Sequence, residues 1–256
     1  LFNRPMYVAP NSSDSGLSAG MLLSYLKPKE PIDLTYAGIP LLDSGTFFER
    51  ASEEEVSKVD LRVISKALSE GSIIGVARGR SEHGPRALGN RSIICDPSLE
   101  GMKDILNERV KHREWFRPFA PIVRLEDVAE YFNFFDGESR HMSFSAKVKE
   151  EWRDKLKSIT HVDGTARIQT VTRKQNPFMY DLLTEFKRVS GHGVLLNTSF
   201  NVNGKPILSS VSDAFNVFRE GGLDVLVVED YMATRKGALP FSSRDGERFY
   251  YEGEIG

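Results

Sequence analysis

The stretch SIIGVARGRSEHGPRALGNRSIICDP, residues 72–97, places a polar loop between two short apolar runs. The runs SIIGVA and SIIC are short and rich in isoleucine, which predicts two buried strands. The loop between them is interrupted by glycine and proline and carries Arg80, Arg86 and Arg91. Because a guanidinium group binds phosphate or carboxylate oxygens in pairs, this unit predicts a sheet edge that presents cations to an anion.

Outward from this unit, helix and strand patterns alternate and predict an α/β fold. Helical spacing or helix-end signals cover five segments: 56–71, 99–110, 125–135, 176–191 and 210–222. Buried strands are predicted at GVLLN and DVLVVED. Asn176 and Pro177 are typical of a helix start and Gly191 of its end, and Ser210 with Asp213 predicts a capping box.

The first part of the chain differs from the rest. MYVAPNSSDSGLSAGMLLSYL, residues 6–26, predicts a short strand, a polar turn and a helix from about Gly16, and a proline-rich connecting segment follows. The predicted units are the end of one domain with a linker, a second domain and a polar tail: residues 1–55, 56–235 and 236–256. Because the sequence opens on Leu1 in place of methionine, we expect it to be the end of a longer chain.

The composition is that of an ordinary globular protein, with 40% hydrophobic and 27% charged residues among 256. A net charge of −2 disfavours broad adhesion to nucleic acid, so any basic site must be local. No run approaches the ~18–20 apolar residues that cross a bilayer, and we expect a cytoplasmic protein with no membrane partner. Cys95 is the single cysteine and is predicted to be a small buried apolar side chain.

Several common site signatures are missing from the sequence. It contains neither a G-x-x-x-x-G-K-[ST] loop nor a G-x-G-x-x-G fingerprint. Residues 56–256 contain no paired cysteines and no closely spaced histidine–carboxylate pair typical of a metal site. A P-loop, a dinucleotide fold and a zinc site are therefore not predicted.

Three further polar segments stand at the ends of apolar runs. They are NERVKHREWFRPFAP, HVDGTARIQTV and LLNTSFNVNGKP. With the arginine-rich loop they supply the candidate site residues Arg86, Lys111, Arg113, Arg117, His161, Arg167, Asn197, Ser199 and Asn201. Guanidinium and ammonium groups suit a polyanion, and hydroxyls, amides and exposed backbone N–H groups suit phosphate oxygens or a ribose. The set predicts a nucleotide and phosphate site at the rim of the sheet.

Each segment taken alone also has a structural interpretation. The basic run 109–117 is typical of a solvated face, GPRALG of a turn, NTSFN of a hydrogen-bonded turn, and a lone His161 of a structural residue. Trp115, Phe116 and Phe119 lie within the basic run, where they either stack on nucleic-acid bases or anchor the run to the core. The recurrence of polar segments at several strand ends favours the functional interpretation, and we expect the aromatic residues to be anchors.

Five segments together carry a family resemblance: GRSEHGPRALGNRSI, NERVKHREWFRPFAPIV, HVDGTARIQTV, LLNTSFNVNGKPI and LDVLVVEDY. Over about residues 70–232 the chain resembles the C-terminal domain of the NodU/CmcH-type O-carbamoyltransferases. MYVAPNSSDSGLSAGMLL is similar to the end of the actin-like, Kae-type domain that precedes it in this family. Among the members, we expect the closest resemblance to be to the nodulation carbamoyltransferases of the NodU and NolO type.

The resemblance implies a fold and a reaction. The fold is YrdC-like, an α/β architecture with an open twisted mixed sheet and flanking helices. The reaction uses carbamoyl phosphate, ATP and Mg²⁺ and forms carbamoyl adenylate with release of pyrophosphate. The actin-like domain, which holds iron or another divalent metal in the full-length enzyme, then passes the carbamoyl group to a hydroxyl of a sugar-type acceptor.

The resemblance also implies roles for individual residues. Arg86, Lys111 and Arg117 fall on the catalytic positions of the pocket. Substrate and nucleotide binding falls to Arg113, His161, Arg167, Asn197, Ser199 and Asn201. Asp14 falls on an aspartate that helps to hold the metal in the full-length enzyme, and since its histidine partners would lie upstream, we expect no competent transfer metal site in this chain.

Three alternatives stay open on the sequence. A YrdC-type threonylcarbamoyl adenylate synthase of tRNA modification would use bicarbonate and threonine, although the segment around Asp14 argues against it. A nucleic-acid-binding module would rest on the basic, aromatic run 109–119, although the net charge of −2 argues against it. A domain that binds nucleotide without turnover is the third.

Overall fold

The computed structural model describes residues 11, 13–133 and 137–235. The strand predicted at the start of the MYVAP segment and the polar tail predicted at 236–256 lie outside these residues.

Within these described residues, the fold is built on a single open sheet of ten strands. The strands are β1 Glu54–Lys58, β2 Ile74–Ala77, β3 Arg91–Cys95, β4 Ala120–Arg124, β5 Phe132–Asn133, β6 Phe144–Val148, β7 Thr165–Val171, β8 Val194–Ser199, β9 Val225–Val228 and β10 Tyr231–Arg235. Their order across the sheet is β1-β10-β9-β2-β3-β8-β4-β7-β6-β5. Parallel pairing joins β2 to β9 and β4 to β7, and the other neighbours are antiparallel. The predicted α/β class with an open mixed sheet is confirmed.

Helices cover both faces of the sheet. They are α1 Leu17–Leu26, α2 Phe47–Arg50, α3 Leu61–Ser69, α4 Met102–Ile105, α5 Val128–Tyr131, α6 Glu150–Arg153, α7 Pro177–Ser190 and α8 Val211–Glu220. One core lies under α3 and α7, and a second contains side chains of α2 and α8. Ile93 belongs to one core and its neighbour Ile94 to the other. Successive strand side chains point to opposite faces, so a sheet covered on both faces needs continuous apolar strands such as SIIC.

The structure confirms the predicted helix boundaries that have clear capping signals. Asn176 precedes α7, and its side-chain oxygen accepts a hydrogen bond of 3.0 Å from the backbone N–H of Met179. The helix ends at Gly191, whose φ of +80° is left-handed. Ser210 caps α8 in the same way through the N–H of Asp213 at 3.0 Å. Caps form within a few residues, and so the local sequence is enough to specify them.

Three predicted helices differ from the structure. The segment 56–71 begins as strand β1, and only Leu61–Ser69 is helical, with Asp60 as its N-cap. The Asp96-Pro97-Ser98 stretch predicts a cap for the helix at 99–110, but the Asp96 carboxylate closes a turn on the N–H and hydroxyl of Ser98 instead. That helix starts at Met102 and finishes as a π-helix, Leu106–Val110. In 125–135 a single 3₁₀ turn and the short α5 lead directly into β5.

The connecting segment before β1 packs on the second domain. Pro40 forms an isolated antiparallel bridge with Arg80, and Leu41 and Phe47 are buried in the same core as Phe215. Helix α1, by contrast, buries none of its residues. The domain division at about residue 55 stays a prediction. In the described part of the chain, no helix combines the length and the apolar character that crossing a membrane requires.

Candidate functional site

The sheet topology brings the polar segments to one edge. Strand β8 is antiparallel to both β3 and β4, with Ser199 opposite Ser92 and Asn197 opposite Ala120. Strand β7 is parallel to β4. The beginnings of β3, β4 and β7 and the end of β8 therefore meet at the same edge of the sheet. Each of the four polar segments lies at one of these strand ends.

The loop before β3, residues 80–91, which we call the arginine loop, is organised by a buried carboxylate. Glu82 is 8% exposed, and its Oε1 accepts hydrogen bonds from the backbone N–H groups of Leu88 at 2.7 Å, Asn90 at 2.8 Å and Arg91 at 3.2 Å. The N–H of the intervening residue, Gly89, donates to the Ser92 hydroxyl at 2.9 Å. Three backbone donors thus share one carboxylate, which fixes the loop from within.

The three arginines of this loop have different roles. Arg91 is fully buried, and its guanidinium donates to the carbonyl oxygens of Arg78, Gly79 and Asn90 at 2.7–2.9 Å. It is a structural residue whose partners are backbone carbonyl oxygens. Arg80 donates to the Ala37 carbonyl at 3.4 Å. Arg86 is exposed, and in the described residues no hydrogen bond or ion pair occupies its guanidinium.

The glycine at 89 is required by the shape of the loop. Its φ of +121° lies outside the range that other residues prefer, and a Cβ there would come within 2.6 Å of Cγ of Met179. The arginine loop can therefore lie close against α7 only with glycine at this position.

Lys111 is buried at the end of β8. It is 3% exposed, and its ammonium group donates to the backbone carbonyl and the side-chain oxygen of Asn201 at 2.9 Å each and to the carbonyl of Ser199. Burial and the charges of Arg113 and Arg117 lower the pKa of Lys111 to about 7. The Ser199 hydroxyl donates to the side-chain oxygen of Asn201 at 2.6 Å. Lys111 from one predicted segment and Ser199 and Asn201 from another therefore form one hydrogen-bonded group.

The loop before β4, residues 112–118, which we call the aromatic loop, is held by Asn107. This buried side chain donates to the carbonyls of Trp115 at 3.2 Å and Arg117 at 3.3 Å, and it accepts from Nε of Arg113 at 2.7 Å. The Arg113 guanidinium also lies 4.4 Å from the centre of the Phe119 ring. Burial and the charge of Arg117 lower the pKa of Arg113 to about 10. Asn107 lies in the π-helix, a distortion frequent at functional sites.

The aromatic residues of this region separate into two classes. Phe119 is 3% exposed and anchors the end of the loop to the core, as expected. Trp115 and Phe116 are 72% and 62% exposed and pack edge to face on each other, so the expectation that they are anchors is wrong. Sequence pattern does not distinguish them because all three lie in the same run of basic and aromatic residues.

Arg167 and His161 complete the edge from the β7 side. Burial and the nearby charge of Arg86 lower the pKa of Arg167, and no carboxylate among the described residues pairs with it. The His161 ring nitrogen Nδ1 is 3.2 Å from the Thr165 hydroxyl. Burial lowers the pKa of His161, and the charges of Arg167 and Lys103 lower it further against the opposing effect of Asp163. His161 is therefore neutral at pH 7.

Beside these residues lies a cleft of about 360 Å³. Its lining includes Lys103, Phe116, Pro118, Thr160, His161 and Asp163. The cleft connects the aromatic loop to the turn before β7, so the exposed Phe116 ring and the Lys103 side chain face the same space.

Asn197 does not have the free donors expected of a phosphate ligand. It is 1% exposed, and its amide nitrogen donates to the Ala87 carbonyl at 3.0 Å and to Oε1 of Gln169 at 2.6 Å. Gln169 in turn donates to the Leu88 carbonyl at 2.9 Å. Sequence reasoning missed Gln169 and Glu82. For Gln169 a signal was present, because it stands two residues after Arg167 in a strand and must share its face of the sheet.

Asp14 lies in the segment before α1. It is exposed and begins the short 3₁₀ turn Asp14–Gly16. Over the described ranges, no group of three or more histidine, cysteine and acidic side chains could hold a metal ion.

The electrostatic balance of the edge is strongly positive. Arg86, Arg113 and Arg167 all lack a carboxylate in hydrogen-bond or ion-pair contact in the part of the chain that the structure describes, and Arg117 has only Glu114 at 3.7 Å. Burial is the largest cause that lowers the pKa values of Lys111, Arg113 and Arg167, and the charges of neighbouring arginines lower them further. An arrangement of this kind is stabilised by a bound polyanion.

Comparison with known families agrees with this geometry. The family model described as Carbamoyltransferase C-terminus matches residues 65–235. This match confirms the resemblance that the five segments carry in the sequence.

Two curated relatives illustrate the range of the family. Nodulation protein NolO of Bradyrhizobium diazoefficiens is 40% identical over 91% of this chain and 45% of its own length. The 3'-hydroxymethylcephem-O-carbamoyltransferase of Streptomyces clavuligerus is 36% identical over 88% of this chain and 43% of its own length. The chain spans less than half the length of these curated relatives.

One solved structure is similar at a lower level. Full-length HypF, crystallised in a phosphate- and nucleotide-bound form, overlays with a TM-score of 0.48 at 20% sequence identity. The overlay covers 70% of this chain and 22% of that protein. A similarity of this size carries no functional conclusion for the chain.

Proposed function

This chain belongs to the carbamoyltransferase C-terminus family, and we propose that it activates a carbamoyl group with ATP for transfer to a hydroxyl. The observation that carries the proposal is the group of cations at one sheet edge, Arg86, Arg113 and Arg167, whose charges no contacting carboxylate neutralises within the described ranges. The proposal for this chain covers the activation step.

The reaction consists of two steps. Water first cleaves carbamoyl phosphate to carbamate and phosphate. A carbamate oxygen then attacks the α-phosphorus of ATP, the bond from that phosphorus to the bridging oxygen breaks, and pyrophosphate leaves with the electron pair. The products are carbamoyl adenylate, phosphate and pyrophosphate.

The site chemistry suits this reaction because all the reacting groups are anions. Carbamate and the ATP phosphates repel each other, and fixed guanidinium groups offset that repulsion and stabilise the charge that grows on pyrophosphate. We assign Arg86 and Arg167 to the phosphates, since their guanidinium groups have no hydrogen-bond or ion-pair partner among the described residues. No nucleophilic side chain is needed, and positioning supplies much of the rest.

Lys111 has a distinct role in this proposal. Its ammonium group lies against the carbonyl oxygens of Ser199 and Asn201, so it fixes the end of β8 while it adds charge beside Arg113. The Ser199 hydroxyl and the Asn201 amide are then placed next to the phosphates. Arg117 lies on the exposed aromatic loop and approaches the ligand from outside.

Magnesium is treated as part of the substrate. The described residues contain no acidic cluster that fits a bare Mg²⁺ ion, so no step is assigned to a protein-bound magnesium. The ion would enter on the phosphates of ATP.

The acceptor is a hydroxyl compound. Support comes from the name of the relative that carbamoylates a hydroxymethylcephem, and from the 40% identity to nodulation protein NolO, which favours a sugar of the Nod-factor type. The family match also favours carbamoyl chemistry over threonylcarbamoyl adenylate synthesis and over nucleic-acid binding.

The test is pyrophosphate release by the chain with ATP and Mg²⁺, with and without carbamoyl phosphate. We expect release that requires carbamoyl phosphate. Release without it, or binding of ATP without any release at saturating carbamoyl phosphate, would refute the activation step.

A matched pair of variants locates the site. Arg167→Met should lower the rate by about 10²–10³-fold, as expected for a fixed cation at a charged transition state. Arg173→Met removes an exposed arginine beyond the other end of the same strand, where it pairs with Asp181, and should leave the rate unchanged. Equal effects of the two variants would remove Arg167 from the site.

A further inference from the structure

The backbone that follows Arg86 is held at nearly every polar group. Three N–H groups of the arginine loop donate to Glu82 and a fourth to Ser92. The carbonyl of Ala87 accepts from Asn197, and that of Leu88 accepts from both Gln169 and the Tyr36 hydroxyl. Loops on a protein surface usually leave such groups to water.

The orientation of the two buried amides is fixed by their partners. The Leu88 carbonyl can only accept, so it requires the NH₂ group of Gln169 and turns the Gln169 oxygen toward Asn197. Asn197 must then present its own NH₂ group, which donates to that oxygen and to the Ala87 carbonyl. Both amide hydrogens of Asn197 are used, and a phosphate oxygen, which also accepts, has no donor left there.

The same strand carries a residue of the proposed phosphate site. Arg167 and Gln169 are two residues apart in β7 and share one face of the sheet. Gln169 binds the backbone two residues after Arg86, and the charge of Arg86 acts on Arg167. The strand that supplies one phosphate cation therefore also fixes the position of the other.

We propose that Gln169, together with Asn197, is a positioning residue that sets Arg86 beside Arg167 for the phosphates. This inference rests on the proposed function, because Arg86 and Arg167 are assigned there. It also changes the expected role of Asn197 from ligand contact to support of the loop.

The experiment is a double-mutant cycle on pyrophosphate release. Gln169→Met keeps the length of the side chain and removes its hydrogen bonds, and it is made alone and together with Arg86→Ala. We expect Gln169→Met to lower kcat about tenfold in the unaltered protein, because a displaced cation loses its transition-state alignment. In the Arg86→Ala background the same change should alter kcat by less than about twofold, because the group that Gln169 positions is already gone.

The control removes a comparable bond on the opposite face of β7. Thr170 is buried, and its hydroxyl accepts from the Ser139 N–H at 2.8 Å without contact to the arginine loop. Thr170→Val should lower the free energy of unfolding to a similar extent and leave kcat unchanged. An equal loss of kcat from Gln169→Met in both backgrounds would mean that Gln169 is merely structural, and would overturn the proposal.

Hydrogen exchange supplies a second readout that needs no turnover. Gln169→Met should raise amide exchange across residues 86–91, whereas unchanged exchange would refute the role of Gln169 in holding the loop. If the unaltered protein releases no pyrophosphate, the proposed function fails, and exchange still decides whether Gln169 holds the loop. Should Gln169→Met not fold, Tyr36→Phe removes the hydroxyl that donates to the Leu88 carbonyl and accepts from Asn176, and it should raise exchange in the same residues.

Discussion

The arginine loop and the aromatic loop reach the same sheet edge but are held in different ways. In the arginine loop, successive backbone groups bind to four side chains, those of Glu82, Ser92, Gln169 and Asn197. In the aromatic loop, Asn107 makes the principal backbone contacts and the Trp115 and Phe116 side chains extend into solvent. The first loop is preorganised before a ligand arrives, whereas the second can adapt to one.

The largest difference should appear when each loop loses its outward arginine. Arg86→Ala should lower adenylate formation by about 10²–10³-fold, because a fixed cation contributes most at the transition state. Arg117→Ala should lower it only about tenfold, since Arg117 must leave Glu114, 3.7 Å away, before it can bind phosphate. Rates of pyrophosphate release measure both, and equal losses would contradict the comparison.

The next difference should appear in the free energy of unfolding when each loop loses the buried side chain that holds it. Glu82→Ala leaves the N–H groups of Leu88, Asn90 and Arg91 without an acceptor, and we expect a loss of about 3 kcal/mol or more in the free energy of unfolding. Asn107→Ala removes two longer bonds to backbone carbonyls, at 3.2 and 3.3 Å, and the bond from Nε of Arg113 at 2.7 Å. Because this loop is exposed, water can replace the lost partner, and the cost should be about 1–2 kcal/mol. Urea unfolding gives both values. The reverse order would mean that the aromatic loop is the more firmly held of the two.

A dependence on pH should follow from Lys111, which lies directly before the aromatic loop and contacts the end of β8. Its pKa is about 7 in the folded protein and 10.5 in an unfolded chain, so the unfolded state binds more protons between these values. The free energy of unfolding should therefore rise with pH in this window, by at most about 1.4 kcal/mol per unit. Affinity for ATP should fall over the same window, by at most about tenfold per unit, because the site loses a positive charge.

Lys111→Met is the control for this pH dependence. Methionine has no charge to titrate. In this variant, the free energy of unfolding and the affinity for ATP should therefore lose the pH dependence that Lys111 causes. The ratio of affinities of the two proteins at each pH cancels the titration of ATP itself. A ratio that stays constant from pH 6 to pH 9 would show that Lys111 does not change charge there.

The smallest effect is expected at the exposed end of the aromatic loop. Trp115→Ala should change the free energy of unfolding by less than about 0.5 kcal/mol, because the side chain is 72% exposed. Leu88→Ala, at a buried position of the arginine loop, should cost about 2–5 kcal/mol. A large loss from Trp115→Ala in urea unfolding would show that the aromatic loop is more firmly packed than its exposure indicates.

The sequence predicts the parts of this edge that depend on local patterns. The apolar runs around the arginine loop, the caps at Asn176 and Ser210, and the position of polar segments at strand ends are all confirmed by the structure. Helix caps and buried strands depend on neighbouring residues and on side-chain period, and both are visible in the sequence. The assignment of individual residues to phosphate binding stays a prediction.

The parts that the sequence does not predict depend on contacts between distant segments. Strand β1 forms because it pairs with β10, almost at the other end of the described chain, and that contact overrides its helical spacing. Arg91 and Glu82 stand in a loop that looks fully exposed, and only the fold shows that backbone groups surround them. Arg91 is among the loop cations that the sequence predicts to face an anion, but the fold uses both charged side chains inside the protein.

Strand β1 has a consequence for keeping the protein monodisperse in solution. The matched family region starts at residue 65, after β1, yet β1 covers the full length of β10 from Glu54 to Lys58. A protein trimmed to the matched region would leave β10 as an open edge, which invites pairing with other molecules and aggregation. When β1 is present, it forms the edge of the sheet in place of β10. The acidic and basic side chains of β1 make this edge a poor template for pairing with other molecules.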